Sequence, residues 1–325
     1  MNSFDKMKYT SICHQGDYNK VVSYLTEFDD SHELLDKYKN IFEGDEYSLK
    51  TEDERINLFL RSYEDFLKWM LKTNPTTVEA ENAIVQKLKP FFPSLGFVSK
   101  VSKKLAYALM YIYVPRFFKK HGYHAQFDTF DIYPSLRLWR NEVTRNEIVE
   151  LPDGKVNMEV IEMDGIITRG WADYLSMGKT GTGGWVTKKG CTYFKEKYDT
   201  ESDVFKVSLL KHEGQHFLDK KNHRKMKSTD LEFRAKLVEL IYHNEMNTFF
   251  YFLQNAPATD DRSHPHFYAE RKIIQGLSMK IFGTDWETSH EAWEAKRNEI
   301  PIAAHELLNE HSKKLVGWNG KSFVI

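Results

Sequence analysis

The chain has 325 residues, and its 46 Lys and Arg against 47 Asp and Glu leave no net field that would draw it to nucleic acid. Hydrophobic residues make up 41% and aromatic residues 14%, enough for one large core or two smaller ones, which excludes extended disorder. Two cysteines, Cys13 and Cys191, are too few for a disulfide framework, and neither stands in a paired metal-binding spacing, so reduced thiols are expected.

The N-terminal twenty residues hold no apolar core of signal-peptide length. No later run approaches the roughly 20 apolar residues that a bilayer span needs. The expectation is a soluble, cytoplasmic protein without membrane or nucleic-acid partners.

From Asn19 to about Tyr123, apolar residues recur at spacings of three and four, as in Val21, Val22, Tyr24 and Leu25 and again from Ile56 to Leu67. This predicts a helical N-terminal region over 1–125, punctuated at Asn74-Pro75, Lys89-Pro90 and Phe92-Pro93. Leu105 to Val114 is apolar all round and predicts a buried helix interrupted at Pro115. The aromatic runs Tyr107 to Phe118 and Phe127 to Trp139 are assigned to a core rather than to a cleft wall.

Between about 142 and 198 the pattern changes to strands. Ile148 to Leu151, the turn Pro152-Asp153-Gly154 and Val156 to Ile161 read as one hairpin. After the glycine-rich stretch Gly178 to Gly184, Trp185 to Thr187 and Cys191 to Phe194 read as a second, with Lys188-Lys189-Gly190 as a mobile loop. Helices follow over Asp203 to Lys220, Leu231 to Asn255, from near Ser263, and over about Glu287 to Leu315. The fold class is α+β, mostly α, with a small, mostly antiparallel sheet.

Residues 212 to 216 read His212-Glu213-Gly214-Gln215-His216. On a helix the two histidines share one face, with Cβ atoms roughly 5 to 6 Å apart, so both imidazoles reach one tetrahedral metal. Val207, Leu210, Gly214, Phe217 and Leu218 form the opposite stripe, which separates a core side from a ligand side. Gly214, costly in a helix interior, predicts close packing of another element there.

A third ligand must come from elsewhere. The next helix is apolar except for a stripe of Glu232, Glu239 and His243, and burying such carboxylates without a cation is expensive. Thr229-Asp230-Leu231-Glu232 also fits a capping box, in which Glu232 would serve the helix end instead. His14, His32, His121, His124, His290, His305 and His311 show no ligand spacing and are assigned to structure or surface.

A helix bearing HEGQH, a short connection and a helix opening Glu232-Phe233-Arg234-Ala235 resembles the gluzincin zinc metallopeptidases over about residues 185 to 255. The resemblance implies that His212, His216 and Glu232 bind one zinc ion and that Glu213 is the general base. It also implies that Trp185 to Thr187 or Cys191 to Phe194 is the strand lining the substrate cleft. Residues 126–325 would then form a zincin-like catalytic domain. Only 15 residues separate His216 from Glu232, and Lys236 stands where some members carry an aspartate. The metzincin pattern fails, because Asn222 and Asp219 occupy its third-ligand and glycine positions and His223 is one residue out of register.

Zinc with three protein ligands lowers the pKa of its water to about 7, and Glu213 would take the proton and return it to the leaving group. Negative charge developing on the substrate needs an oriented donor, for which His264 and Tyr268, four apart at a helix start, are the candidates. The same stretch also reads as a plain helix start, with Ser263 as cap and Pro265 in the first turn. The expected function is a zinc-dependent hydrolase of peptide bonds, with an extended peptide or protein substrate adding to an edge strand. The alternative is a catalytically silent zinc-binding sensor or interaction protein on the same fold.

Overall fold

The computed structural model describes residues 4–28, 31–130, 132–180, 183–187, 190–257, 260–262 and 264–325. Ser263, Lys188, Lys189, Gly181 and Thr182, which carry parts of the expected cap, hairpin loop and glycine-rich stretch, lie outside them. The chain divides into two compact units, Met1–Glu142 with Met163–Thr182, and Val143–Glu162 with Gly183–Ile325.

The first unit begins with α1 (Lys6–Cys13), α2 (Tyr18–Leu25), α3 (His32–Glu43), α4 (Glu54–Thr73), α5 (Thr77–Leu88), α6 (Pro93–Val101) and α7 (Lys103–Lys120). Its longest helix, α4, starts where the Asp53 side chain accepts from the Arg55 and Ile56 N–H groups and stops at Asn74, which takes a left-handed conformation. The buried face of α4 places Phe59 among Phe91, Phe117 and Phe118, with ring centroids 5.0, 5.2 and 4.9 Å away. Helix α7 runs through Pro115 instead of ending there, and Leu105, Tyr111 and Ile112 are exposed. Its buried face is the stripe Ala106, Tyr107, Met110, Val114 and Phe118, so packing on both sides of Pro115 offsets the missing N–H.

The strands are β1 (His124–Phe130), β2 (Tyr133–Leu151), β3 (Gly154–Arg169), β4 (Gly184–Val186) and β5 (Gly190–Phe194), with the short helix α8 (Trp171–Leu175) after β3. They form one mixed sheet in the order β1-β2-β3-β5-β4. β1 pairs antiparallel with β2, setting His124 opposite Trp139, and β4 pairs antiparallel with β5, setting Val186 opposite Cys191. The sheet starts at His124, earlier than the expected 142, because Phe127 and Leu136 to Trp139 are strand residues of the core. A division at 125/126 is not observed. Residues of β2 and β3 contribute to both units, so the chain passes between them twice within one long hairpin.

The second unit continues with a π-helical segment Val204–Lys211, then α9 (His212–Asn222), α10 (Ser228–Tyr242), α11 (Asn247–Asn255), α12 (Pro265–Phe282), α13 (His290–Ala295) and α14 (Ile300–Leu315). Three stretches expected as single helices are therefore divided. The first turns wide before α9, the second breaks at the extended His243, and the third restarts at α14 with Pro301 in its first turn. The core of this unit joins Val149, Val156, Leu209, Phe233, Leu237, Phe249, Ile273, Leu277, Trp293 and Leu308. Among the described residues no helix is long and apolar enough to cross a membrane.

Candidate metal centre

The HEGQH residues open α9, directly after the π-helical segment. Gly214 turns to the sheet: a Cβ there would stand 3.1 Å from Val149 Cγ1 and 3.6 Å from Val156 Cγ1, so even an alanine would make the Val149 side chain give by a few tenths of an ångström. The expected close packing is present, and it directs His212 and His216 away from the strands toward α10. The two rings are edge to face with centroids 4.6 Å apart.

Glu232 meets them from the second turn of α10. Its Oε1 is 3.2 Å from His216 Nε2 and its Oε2 is 3.7 Å from His212 Nε2. Ligand atoms of these three side chains all lie within 4.8 Å of one another. A tetrahedral zinc site with bonds of about 2.1 Å has edges of about 3.4 Å, so these three side chains could hold an ion once the wider gaps close. The capping reading of Glu232 is not observed. Helix α10 begins at Ser228 after Lys227, has no side-chain cap, and carries Glu232 inside the helix.

Behind His212, Glu239 Oε1 is 2.7 Å from Nδ1. A hydrogen bond at Nδ1 holds a proton there and turns Nε2 toward Glu232, the arrangement by which an outer carboxylate orients a ligating imidazole. Glu239 lies seven residues after Glu232, two turns on along the same face. Lys236, four residues after Glu232, turns instead to α12, where its Nζ is 2.8 Å from Glu270 Oε1. Thus position 236 holds a buried cation, and the carboxylate beside His212 comes one turn later.

Electrostatics follow from burial and pairing. Burial alone would lower the His212 imidazole, but Glu239, with Glu232 and Glu213, outweighs it and lifts the group to about 9. Burial opposes the charge of Glu232, yet His216 and His266 hold its carboxyl well below the usual range. Glu239 is likewise held down against burial by His212 and Lys236. Three anions and a buried lysine around two imidazoles form a site whose surplus charge is negative, suited to a divalent cation.

Glu213 is half-buried and makes no hydrogen bond among the described residues, which leaves its carboxylate available as a proton acceptor. Beside it, Cys191 of β5 is kept protonated mainly by burial and secondarily by the Glu213 charge. Asp219, the other carboxylate on α9, is committed to Arg234 Nε at 3.0 and 2.9 Å. His243 sits just past α10 with Nε2 2.7 Å from Ser208 Oγ of the π-helical segment.

His264 is exposed immediately before α12, and Tyr268 is buried in that helix's first turns with Arg262 over its ring at 4.9 Å. The imidazole that approaches the centre from this segment is His266, with Nδ1 2.9 Å from Glu232 Oε2 and its ring largely exposed. Sequence reasoning passed over His266. The signal was the doublet His264-Pro265-His266, in which helical phase from α12 selects the second histidine.

No family model matches this chain, and no curated protein or solved structure matches it either.

Proposed function

We propose that the chain is a zinc-dependent hydrolase of peptide bonds on the gluzincin plan, with His212, His216 and Glu232 holding one zinc ion. The observation that carries this reading is the convergence of both Nε2 atoms on the Glu232 carboxylate while Glu239 engages His212 Nδ1. A zinc ion held there supplies a water acidified to near neutrality and a Lewis acid for the carbonyl.

Glu213 takes the water's proton and carries it to the leaving amine, a role for which its unpaired carboxylate suits it. His266, with Nδ1 2.9 Å from Glu232 Oε2, is a candidate donor toward a developing oxyanion, with His264 and Tyr268 as further candidates. The buried, unpaired thiols of Cys13 and Cys191 fit a reducing, cytoplasmic compartment. A silent zinc-binding protein has no use for the free carboxylate of Glu213.

Metal analysis and peptide-library cleavage read by mass spectrometry test the proposal. The expected result is about one zinc per chain and cleavage that falls on the order of a hundredfold in Glu213→Gln with zinc retained. Zinc binding with no cleavage by the unaltered protein would leave the sensor reading, and absence of zinc would remove both.

A further inference from the structure

We propose that the outward faces of α6 and α7 form a docking surface for an anionic lipid bilayer, so that the chain binds a membrane peripherally through its first unit. The proposal is independent of the zinc reading. The expectation of a chain without membrane partners concerned spans, and a face that lies on a bilayer needs none.

Residues 82–127 hold eight Lys and Arg and no Asp or Glu, in a chain with 47 acids among 325 residues and a net charge of -1. At the chain's own average, about seven acids would fall in a stretch of this length. Lys100, Lys103, Lys104, Arg116, Lys119 and Lys120 are exposed and make no ion pair among the described residues. Helix dipoles favour cations in a last turn, which accounts for Lys100, Lys119 and Lys120. They disfavour Lys103 and Lys104 in the first turn of α7, and they favour acids at the start of both helices, where none stands.

The same helices hold large apolar groups out in water. Leu95 turns α6 to the core, whereas Phe97 and Val101, four apart on the other side, are 74% and 75% exposed. In α7 the core takes Ala106, Tyr107, Met110, Val114 and Phe118, while Leu105 and Ile112, seven apart on the opposite side, are 51% and 44% exposed. Arg116 follows Ile112 by four residues and Lys119 by seven, so cations extend this apolar stripe. A helix apolar on both sides is expected to be covered on both. The two outward faces adjoin, because Pro93 and Ser94 of α6 line one pocket of about 360 Å³ with Arg116 and Lys120 of α7.

An anionic bilayer satisfies both halves of this surface. Apolar tips enter the boundary between headgroups and acyl chains, while Lys and Arg keep their methylenes in that layer and their charges among the lipid phosphates. A face of one sign matches a surface of the opposite sign. A single-stranded nucleic acid would meet the cations and Phe97 but leave Val101, Leu105 and Ile112 in water, since aliphatic side chains give bases no stacking face.

The test is sedimentation of the full chain with vesicles of phosphatidylcholine, alone or with about 30% phosphatidylserine. Near 100 mM salt, binding should be at least about tenfold tighter to the serine-lipid vesicles, with most of the margin gone near 500 mM. Arg116→Gln/Lys119→Gln/Lys120→Gln and, separately, Phe97→Ser/Val101→Ser should each weaken binding at least about tenfold with circular dichroism unchanged. Lys220→Gln/Lys221→Gln, in the basic segment 220–227 of the second unit, should leave it intact. Equal binding to the two vesicles, binding that survives either face variant, or an equal loss in the Lys220 and Lys221 variant overturns the proposal. Loss in the cation variant alone would assign the charges to a soluble polyanion, and a dimer that Phe97→Ser/Val101→Ser splits would assign the apolar face to a second copy. Either result overturns it.

Discussion

Helices α9 and α10 bury two polar clusters built from the same residue types, and the two differ in what closes them. In one, the Arg234 guanidinium gives Nε to Asp219, Nη1 to Ser312 Oγ at 2.9 Å and Nη2 to Asp153, while His311 Nε2 lies 3.2 Å from Asp230 Oδ1. Asp230 also accepts the N–H groups of Val324 and Ile325, tying down the C-terminal residues. In the other, two Nε2 atoms face one carboxylate, a second carboxylate stands behind, and a third is free. A permanent cation with a rigid fork of donors completes the first cluster from within. An imidazole can exchange its proton for an ion, so the second cluster is closed by a removable charge on His212 rather than by a permanent one. Histidine beside carboxylate therefore marks a metal candidate only where no arginine satisfies the acids.

The largest expected effect breaks the closed cluster. Arg234→Ala strands the buried Asp219 and should cost about 3 to 5 kcal/mol in urea unfolding, because that carboxylate loses its counter-charge, whereas the exposed Asp153 can turn to water. Zinc bound per folded chain should stay unchanged, the two clusters using different side chains. A parallel loss of zinc would show that the brace positions the ligands and would dissolve the distinction.

The open cluster was legible in the sequence to the extent that it obeys helical phase. His212, His216 and Glu232 share faces that periodicity alone identifies, and Gly214 announced the strand packed against it. Glu239 stood on the expected stripe, but its partner was not readable, since which helix a stripe faces is set by tertiary packing. His266 reaches the centre from the start of α12, and the sequence before that helix carries no periodic signal. The same limit applies to the fold. Helix class and the Pro152-Gly154 turn were local, whereas the sharing of β2 and β3 between two units depends on long-range contacts that no window of residues contains.

A smaller effect sharpens the comparison. Glu232→Gln replaces an anionic ligand with a neutral amide and should weaken zinc binding by at least about a hundredfold, whereas Glu239→Gln acts through His212 and should cost about ten- to a hundredfold. Asp219→Asn should destabilise the fold and leave zinc affinity intact. Competition with a chromophoric chelator ranks the three. Should Asp219→Asn release zinc more readily than Glu232→Gln, the assignment of open and closed clusters is inverted.

The smallest expected effect is the pH dependence of the open cluster without metal. Folding raises His212 from 6.5 to about 9, so the folded state binds the proton more tightly than the unfolded chain. Its stabilisation is complete below about pH 6.5 and is lost as pH rises through about 9. His311 in the closed cluster has the opposite sign: burial lowers it, so stability falls as pH drops below about 6.5. Chelator-treated protein should therefore lose about 1 to 2 kcal/mol between pH 6.5 and 9 by urea unfolding. Zinc competes for the same Nε2 that the extra proton occupies, so the loaded protein should show no such decline over this window. A decline of equal size with and without zinc would mean that the ion does not sit on His212, and the closed and open clusters would no longer differ in the way their chemistry requires.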